Sequence, residues 1–469
     1  MREFDVVVIG AGVAGEVCAG RLGERGLDVA IVEDRLVGGE CSYFACMPSK
    51  ALLRPIELVR EAARVPGVSV GPLDPAAVLA RRDEVISSLD DTRQLPWLEE
   101  RGVTLLRGRG RLDGERRVRV GDEVVGARRS VVIATGSTAA LPAIPGLRES
   151  RPWTNIEATT SSTAPPRLVI LGGGVVGVEM ATAWSALGSK VTLVHRGLRL
   201  LEREEPFAGE QVAEALREAG VDVRLDTRVR RVLRRDTVRI ELRAGSRPES
   251  APADSGRANT PEGAGGTIEA DEVLAALGRT PTSADIGLET VGLEPGGHVR
   301  VDDSLRVPGF DWLYAVGDVN GRALLTHMGK YQARLAADAI LGRRVAVRSD
   351  GLHSPRVIFT DPQVGAVGHT LASATAAGID ARAVDVDTGG NAGGSFIGRG
   401  AAGTSRIVVD ERRGIVVGAT ITGVEVSEAL HAATIAIVAE VPLDDLWHAV
   451  PAFPTRSELW LKLLEAYGL

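Results

Sequence analysis

At 469 residues the chain has room for about three domains, and its 44% apolar and 25% charged content is that of a globular protein. A net charge of -7 argues against a general nucleic-acid binder, and three cysteines are too few for a disulfide-stapled secreted scaffold. Glycine is abundant, at 56 residues, and aromatics are scarce (7 Phe, 6 Trp, 4 Tyr), so the cores are expected to be Val, Leu, Ile and Ala with close backbone approaches.

The first element follows Asp5 as the run VVVIGAGVAG. Acids precede this run and glycines interrupt it, so it reads as a buried strand and not as a signal peptide. No stretch of about 18 apolar residues follows, so no membrane span is expected and a cytoplasmic location is the default. Gly10, Gly12 and Gly15 form G-x-G-x-x-G between this strand and a helical period. The first glycine permits the tight turn, the second lets backbone approach a pyrophosphate, and the third lets helix and strand pack closely. Glu33 ends the next strand, where a carboxylate can accept from ribose hydroxyls. Cys18, on the helix, reads as a small buried apolar residue.

The segment GGECSYFACMPSK follows, with Gly38, Gly39, Cys41, Cys46 and Lys50. Cysteines at this spacing can meet at the start of a helix, whose N-terminus stabilises thiolate. Structural thiols and metal ligation are the alternatives, although no further Cys or His is close enough in sequence to complete a metal site. Only four of the 55 basic residues are lysines (Lys50, Lys190, Lys330, Lys462), which makes each a position where arginine did not serve. A second strand–glycine–helix unit, residues 167 to 196, carries Gly172, Gly174 and Gly177. Two such units predict two dinucleotide-binding domains in one chain. No acid ends the following strand: His195 and Arg196 stand there, with Arg199 and Arg203 nearby. A missing acid and a guanidinium suit a 2′-phosphate, so NADPH is expected over NADH. Residues 244 to 266, rich in Pro, Gly and Ser, read as a mobile hairpin tip. From about 346 onward, new strand patterns, a long helix (SEALHAATIAIVAEV) and a final helix (RSELWLKLLEAY) predict a separate α+β domain.

The cysteine segment resembles the pyridine nucleotide-disulfide oxidoreductases, the group of lipoamide dehydrogenase and glutathione reductase, whose hallmark is GG-T-C-x4-C-x-P-S-K. Gly38, Gly39, Cys41, Cys46, Pro48, Ser49 and Lys50 match, while Glu40, Tyr43 and Ala45 replace the usual Thr, Asn and Gly. The resemblance runs nearly end to end. It implies that Cys46 is the thiol against the flavin and Cys41 the interchange thiol. It implies FAD contacts at Gly39, Gly110, Ala134-Thr135-Gly136, Asp318 and the helix start Thr326-His327, where a positive helix end favours reduced flavin. It pairs Lys50 with Glu179 beside the flavin and places Gly278 in the G-R-x-P turn near the nicotinamide. It also implies a homodimer.

One departure bears on the substrate. The family proton carrier is a C-terminal His in H-P-T-x-S-E, oriented by Glu. Here the residues are Phe453-Pro454-Thr455-Arg456-Ser457-Glu458, so Glu458 matches and the imidazole does not. The family's mercury-reducing members carry an extra C-terminal cysteine pair that is also missing here.

The expected fold is therefore α/β, with two Rossmann-like domains and a C-terminal α+β dimerisation domain. The FAD-binding domain spans 1–150 and 281–345, the NAD(P)-binding domain 151–280 and the dimerisation domain 346–469. The expected activity passes hydride from NAD(P)H through FAD to a Cys41–Cys46 disulfide, then to a disulfide or other small-molecule electron acceptor. Alternatives are a quinone or metal-ion reductase that bypasses the disulfide, the lipoamide dehydrogenase of a larger complex, and a docking homodimer with idle cysteines. Neither nucleic acid nor membrane is an expected partner.

Overall fold

A computed structural model describes residues 1–245 and 265–469, so the tip expected at 244–266 lies almost wholly outside the described residues. Its flanks, Val238–Ala244 and Thr267–Ala270, pair as antiparallel strands. The described chain divides into two compact units. One comprises Met1–Pro48, Arg82–Thr138 and Arg279–Ser354; the other comprises Ser49–Arg81, Ala139–Gly278 and Pro355–Leu469.

The first unit is built on β1 (Arg2–Ile9), which lies between β2 (Val29–Glu33) and the strand Glu123–Ile133, parallel to both. Val103–Arg107 and Leu313–Ala315 extend the parallel sheet, and Arg117–Val120 and Gly110–Leu112 add an antiparallel meander. Residues Val6 to Ile9 are buried on both faces, which is why the run is continuous and not alternating. Helix α1 (Val13–Gly23) packs on one face with the helix Thr326–Ile340, and after β2 come the short helix α2 (Gly39–Tyr43) and the start of α3 (Cys46–Arg64), a 19-residue helix whose residues from Ser49 on belong to the other unit.

The second unit repeats the plan. Asp222–Arg224, Lys190–Val194, Arg167–Leu171 and Glu272–Ala275 form a parallel sheet in that order. Trp184, fully buried on the helix Val175–Ala186, stacks tilted against Trp153 with ring centroids 5.6 Å apart. The C-terminal part of this unit is a five-stranded antiparallel sheet, ordered Arg356–Ile358, Gln363–Gly368, Ile415–Gly423, Thr404–Asp410, Ala381–Asp387. The helices Val426–Val438 and Glu458–Tyr467 share its core. The fold is thus α/β, with two Rossmann-like parts and a C-terminal α+β part. Among the described residues no helix is long and apolar enough to cross a membrane.

Candidate active site

The two glycine loops have nearly superimposable constraints. A side chain on Gly10 (φ +102°) would place its Cβ 2.5 Å from the Ala134 carbonyl oxygen, and one on Gly15 would sit 1.9 Å from the Gly10 oxygen. In the second loop Gly172 (φ +113°) would meet the Ala276 oxygen at 2.1 Å and Gly177 the Gly172 oxygen at 1.9 Å. These four glycines are required by the fold itself. The middle pair differs. A Cβ on Gly12 would meet only the Gly39 Cα at 3.9 Å, and one on Gly174 would meet nothing within 4 Å. Both cap their helices in extended backbone open to any residue. Space left open over a helix N-terminus, where protein packing does not demand glycine, is what a pyrophosphate would need. The residues present therefore fit FAD at the first loop and a nicotinamide dinucleotide at the second.

The surrounding residues support this shape. Gly39 (φ +61°) abuts the first loop, since a Cβ there would lie 2.7 Å from the Gly12 Cα, and Gly38 N donates to the Ala11 oxygen at 2.7 Å. Glu33 accepts from the Ala11 and Arg35 amides, each at 2.8 Å, and burial raises its carboxyl above the usual range. Its remaining lone pairs are what a ribose would use. Gly110 opens a strand against Ile9 and Val32. Ala134 donates to the Ile9 oxygen, the Thr135 hydroxyl donates to the Thr282 carbonyl at 2.6 Å, and Gly136 adopts φ +70°. At the second loop His195 Nδ1 accepts from the Gly173 amide at 3.1 Å, and burial lowers the basicity of its ring. Arg196 is exposed beside it, and Glu202 stands 3.8 Å from His195 Nε2. Gly278 turns at φ +118° and accepts from the Ala140 amide.

Cys41 on α2 and Cys46 at the start of α3 carry thiols that hydrogen-bond to each other and are not joined in a disulfide. Thr326 Oγ1, at the start of its helix, is 3.2 Å from Cys46 Sγ. Hydrogen bonding to Cys46 and burial hold the Cys41 thiol protonated, while Thr326 and Lys330 pull the other way. Cys18 is fully buried and its pKa is pushed up to about 12, so it is inert. His327 follows Thr326 and is exposed.

In the second unit Lys50 Nζ donates to Glu179 Oε2 at 2.7 Å, and Glu179 Oε1 accepts from the Phe359 amide at 3.0 Å. The glutamate side chain is 4% exposed and the lysine 35%, with Lys50 Nζ also 4.7 Å from the Phe359 ring centroid. Sequence reasoning paired these two residues; the Phe359 contribution was not legible. Glu458 opens the last helix and accepts from the Gly393 amide at 3.2 Å, while Phe453 is 78% exposed.

One network escaped sequence reading. Arg279 pairs with Glu40, its Nε donates to Ser137 Oγ at 2.7 Å, and Ser137 Oγ donates to Asp318 Oδ2 at 2.6 Å. Glu40 is marked in the sequence by its departure from the family threonine, but nothing local joins it to Arg279, 239 positions along the chain.

These loops and the vicinal thiols define an oxidoreductase with two dinucleotide sites and a dithiol centre. Comparison with known proteins narrows the class. Residues 4–338 match the family model described as pyridine nucleotide-disulphide oxidoreductase, and residues 354–463 match its dimerisation domain. A dihydrolipoyl dehydrogenase of Haloferax volcanii is 32% identical over 98% of this chain and 95% of its own length. A mercuric reductase of Shigella flexneri is 31% identical over 94% of this chain and 77% of its own. The solved structure of the HOCl-induced flavoprotein disulfide reductase RclA from Escherichia coli superposes with a TM-score of 0.82 at 24% identity, covering 98% of this chain and 99% of that one, a likeness of fold. The chain belongs to the pyridine nucleotide-disulphide oxidoreductase family. It is an FAD-dependent NAD(P)H oxidoreductase of the disulfide-reductase type, with the family's dimerisation domain.

Proposed function

We propose that this chain reduces a small disulfide with NADPH, through FAD and a Cys41–Cys46 redox pair, as a cytoplasmic homodimer. The single observation that carries the reading is the thiol cluster: Cys41 beside Cys46, with the helix-start residue Thr326 3.2 Å from Cys46 Sγ. When bound, FAD supplies two-electron exchange between the nicotinamide and that dithiol. Gly10, Gly12, Gly15, Gly39, Gly110, the segment 134–136 and Asp318 hold it, and Glu33 accepts from its ribose. The helix beginning at Thr326-His327 presents a positive end that favours a reduced, anionic ring. Glu179, buried and held by the Phe359 amide, fixes the Lys50 ammonium by a charge-assisted hydrogen bond. Gly172, Gly174, Gly177 and Gly278 seat the nicotinamide dinucleotide, and Arg196 selects a 2′-phosphate. Glu458 accepts from the Gly393 amide and so holds the C-terminal segment. The four-segment division into 1–150, 151–280, 281–345 and 346–469 belongs to the same proposal.

Anaerobic titration with NADPH tests the reading. Uptake of two electrons with a long-wavelength thiolate–flavin band, lost in Cys46→Ser, is the expected result. Direct flavin bleaching unchanged by Cys46→Ser would leave a simple flavin reductase.

A further inference from the structure

A helix as short as α2 does not hold itself together in water. It also begins on two glycines at positive φ, Gly38 at +110° and Gly39 at +61°, with no side-chain cap. Yet it carries Cys41 and keeps that thiol against Cys46. Its position is therefore imposed from outside. At its entry the Val37 amide donates to Asp91 at 2.8 Å, and Asp91 is itself paired with Arg107 at 2.7 Å. On its first turn the hold is Glu40, the residue immediately before Cys41, whose carboxylate pairs with Arg279.

Arg279 is a fixed partner. Its segment is fastened to residues 135–137: the Thr282 amide donates to the Gly136 oxygen at 3.0 Å, and the Thr135 hydroxyl donates to the Thr282 carbonyl at 2.6 Å. The guanidinium also donates to the Ser137 carbonyl and, through Nε, to Ser137 Oγ at 2.7 Å. Ser137 Oγ then donates to Asp318 Oδ2 at 2.6 Å, and Arg279 Nε stands 3.9 Å from the same oxygen. One guanidinium thus lies between two carboxylates: Glu40 on the thiol turn, and Asp318, which the reading above gives to the flavin cofactor. The Glu40 side chain is 21% exposed and that of Arg279 24%, so water screens the pair only in part. A planar guanidinium makes these bonds together in one fixed geometry. A threonine at position 40, the residue usual in the family, has no carboxylate to offer it.

We propose that Glu40 and Arg279 are positioning residues for electron transfer between the flavin and the Cys41–Cys46 pair: their ion pair ties the thiol turn, through Ser137, to the flavin-holding Asp318. This rests on the disulfide-reductase reading above. Neither residue exchanges a proton or an electron. With the pair intact, α2 has one seat relative to Asp318. Cys46, hydrogen-bonded to Cys41 and 3.2 Å from Thr326 Oγ1, then has one seat relative to the flavin ring. With the pair broken, α2 keeps its Asp91 contact and the buried Tyr43 ring but loses its hold on the flavin side.

The test uses oxidised holoenzymes of wild type, Glu40→Gln, Glu40→Ala, Arg279→Met and the double variant Glu40→Ala/Arg279→Met, each matched for FAD content and thermal melting. They are mixed anaerobically with NADPH in a stopped-flow spectrophotometer. In Glu40→Ala the flavin should bleach at the wild-type rate, while passage of electrons to the disulfide slows about tenfold and the long-wavelength thiolate–flavin band loses about half its height. Glu40→Gln, which keeps an oxygen for Arg279, should recover part of both. Arg279→Met should show the same losses, and the double variant no more than either single one, because the two residues act as a unit. A band and transfer rate equal to wild type in Glu40→Ala, whatever its melting temperature, would overturn this proposal alone, since the pair would then serve only the fold. Losses that multiply in the double variant would overturn it too. A wild-type flavin that NADPH bleaches without any thiolate–flavin band would overturn the disulfide-reductase reading and this proposal with it.

Discussion

Gly12→Ala and Gly15→Ala should fail in opposite ways. At Gly15 the new Cβ would lie 1.9 Å from the Gly10 carbonyl oxygen, more than 1 Å inside any normal contact, and 3.0 Å from the Gly10 carbonyl carbon. Backbone holds both sides, so α1 must lift from β1. Overpacking of this kind costs about 3 kcal/mol or more, which should lower the Tm of the apoprotein by several degrees. At Gly12 the backbone is extended and the nearest atom to a new Cβ is 3.9 Å away, so the apoprotein should melt within about 1–2 °C of wild type. The methyl instead fills the space kept for the pyrophosphate. A loss of about 3 kcal/mol in FAD binding corresponds to a Kd weaker by roughly 100-fold. Differential scanning calorimetry of the apoproteins and fluorescence titration with FAD measure the two quantities. An apo Gly12→Ala as unstable as Gly15→Ala, or a Gly12→Ala that binds FAD normally, would refute the assignment of the open cradle to the cofactor.

Three further outcomes follow from the same geometry. Lys50→Met strips the cation from a glutamate only 4% exposed and leaves it one amide partner, so urea unfolding should show a loss of about 1–3 kcal/mol; no loss would mean the pair contributes nothing to the fold. Arg196→Glu should raise the KM for NADPH at least tenfold and leave that for NADH little changed; equal effects on both would remove the 2′-phosphate role. Glu16 gives the apoprotein a pH dependence of known sign. Its folded pKa, about 7, exceeds the ordinary 4.5, so the folded state binds more protons between those values and stability falls as pH rises through the window. The loss should approach about 3 kcal/mol by pH 7 and be absent in Glu16→Gln, as chemical denaturation at pH 4.5 and pH 7.5 would show. Equal slopes in the two proteins would show that Glu16 titrates normally.

Much of this protein was legible in one dimension, because the signals are local. A glycine that must turn at positive φ, or let a helix touch a strand, is fixed by its immediate neighbours, so Gly10, Gly15, Gly172 and Gly177 announced both Rossmann-like parts. Cys41, Cys46 and Lys50 lie within one short segment, and Glu179 sits at a fixed distance from its own glycine loop. What separates cofactor glycines from packing glycines was not legible. Gly12 and Gly15 look alike in sequence, and only the atoms opposite them tell a cradle from a contact. The same holds for side chains whose partners are far along the chain. Glu40 meets Arg279 across 239 positions and Ser137 joins Asp318 across 181, distances at which no sequence period carries information. Glu16 is the strongest case. In sequence it is an acid on the first turn of a helix; in the fold it is a half-buried carboxyl sharing Lys330 with a redox thiol. Composition and motif determined the class of chemistry, because dinucleotide loops and vicinal cysteines are local devices. The proton environment of Cys41 was decided by tertiary structure, because the acidity of a carboxyl depends on burial and on the charges that distant segments bring beside it.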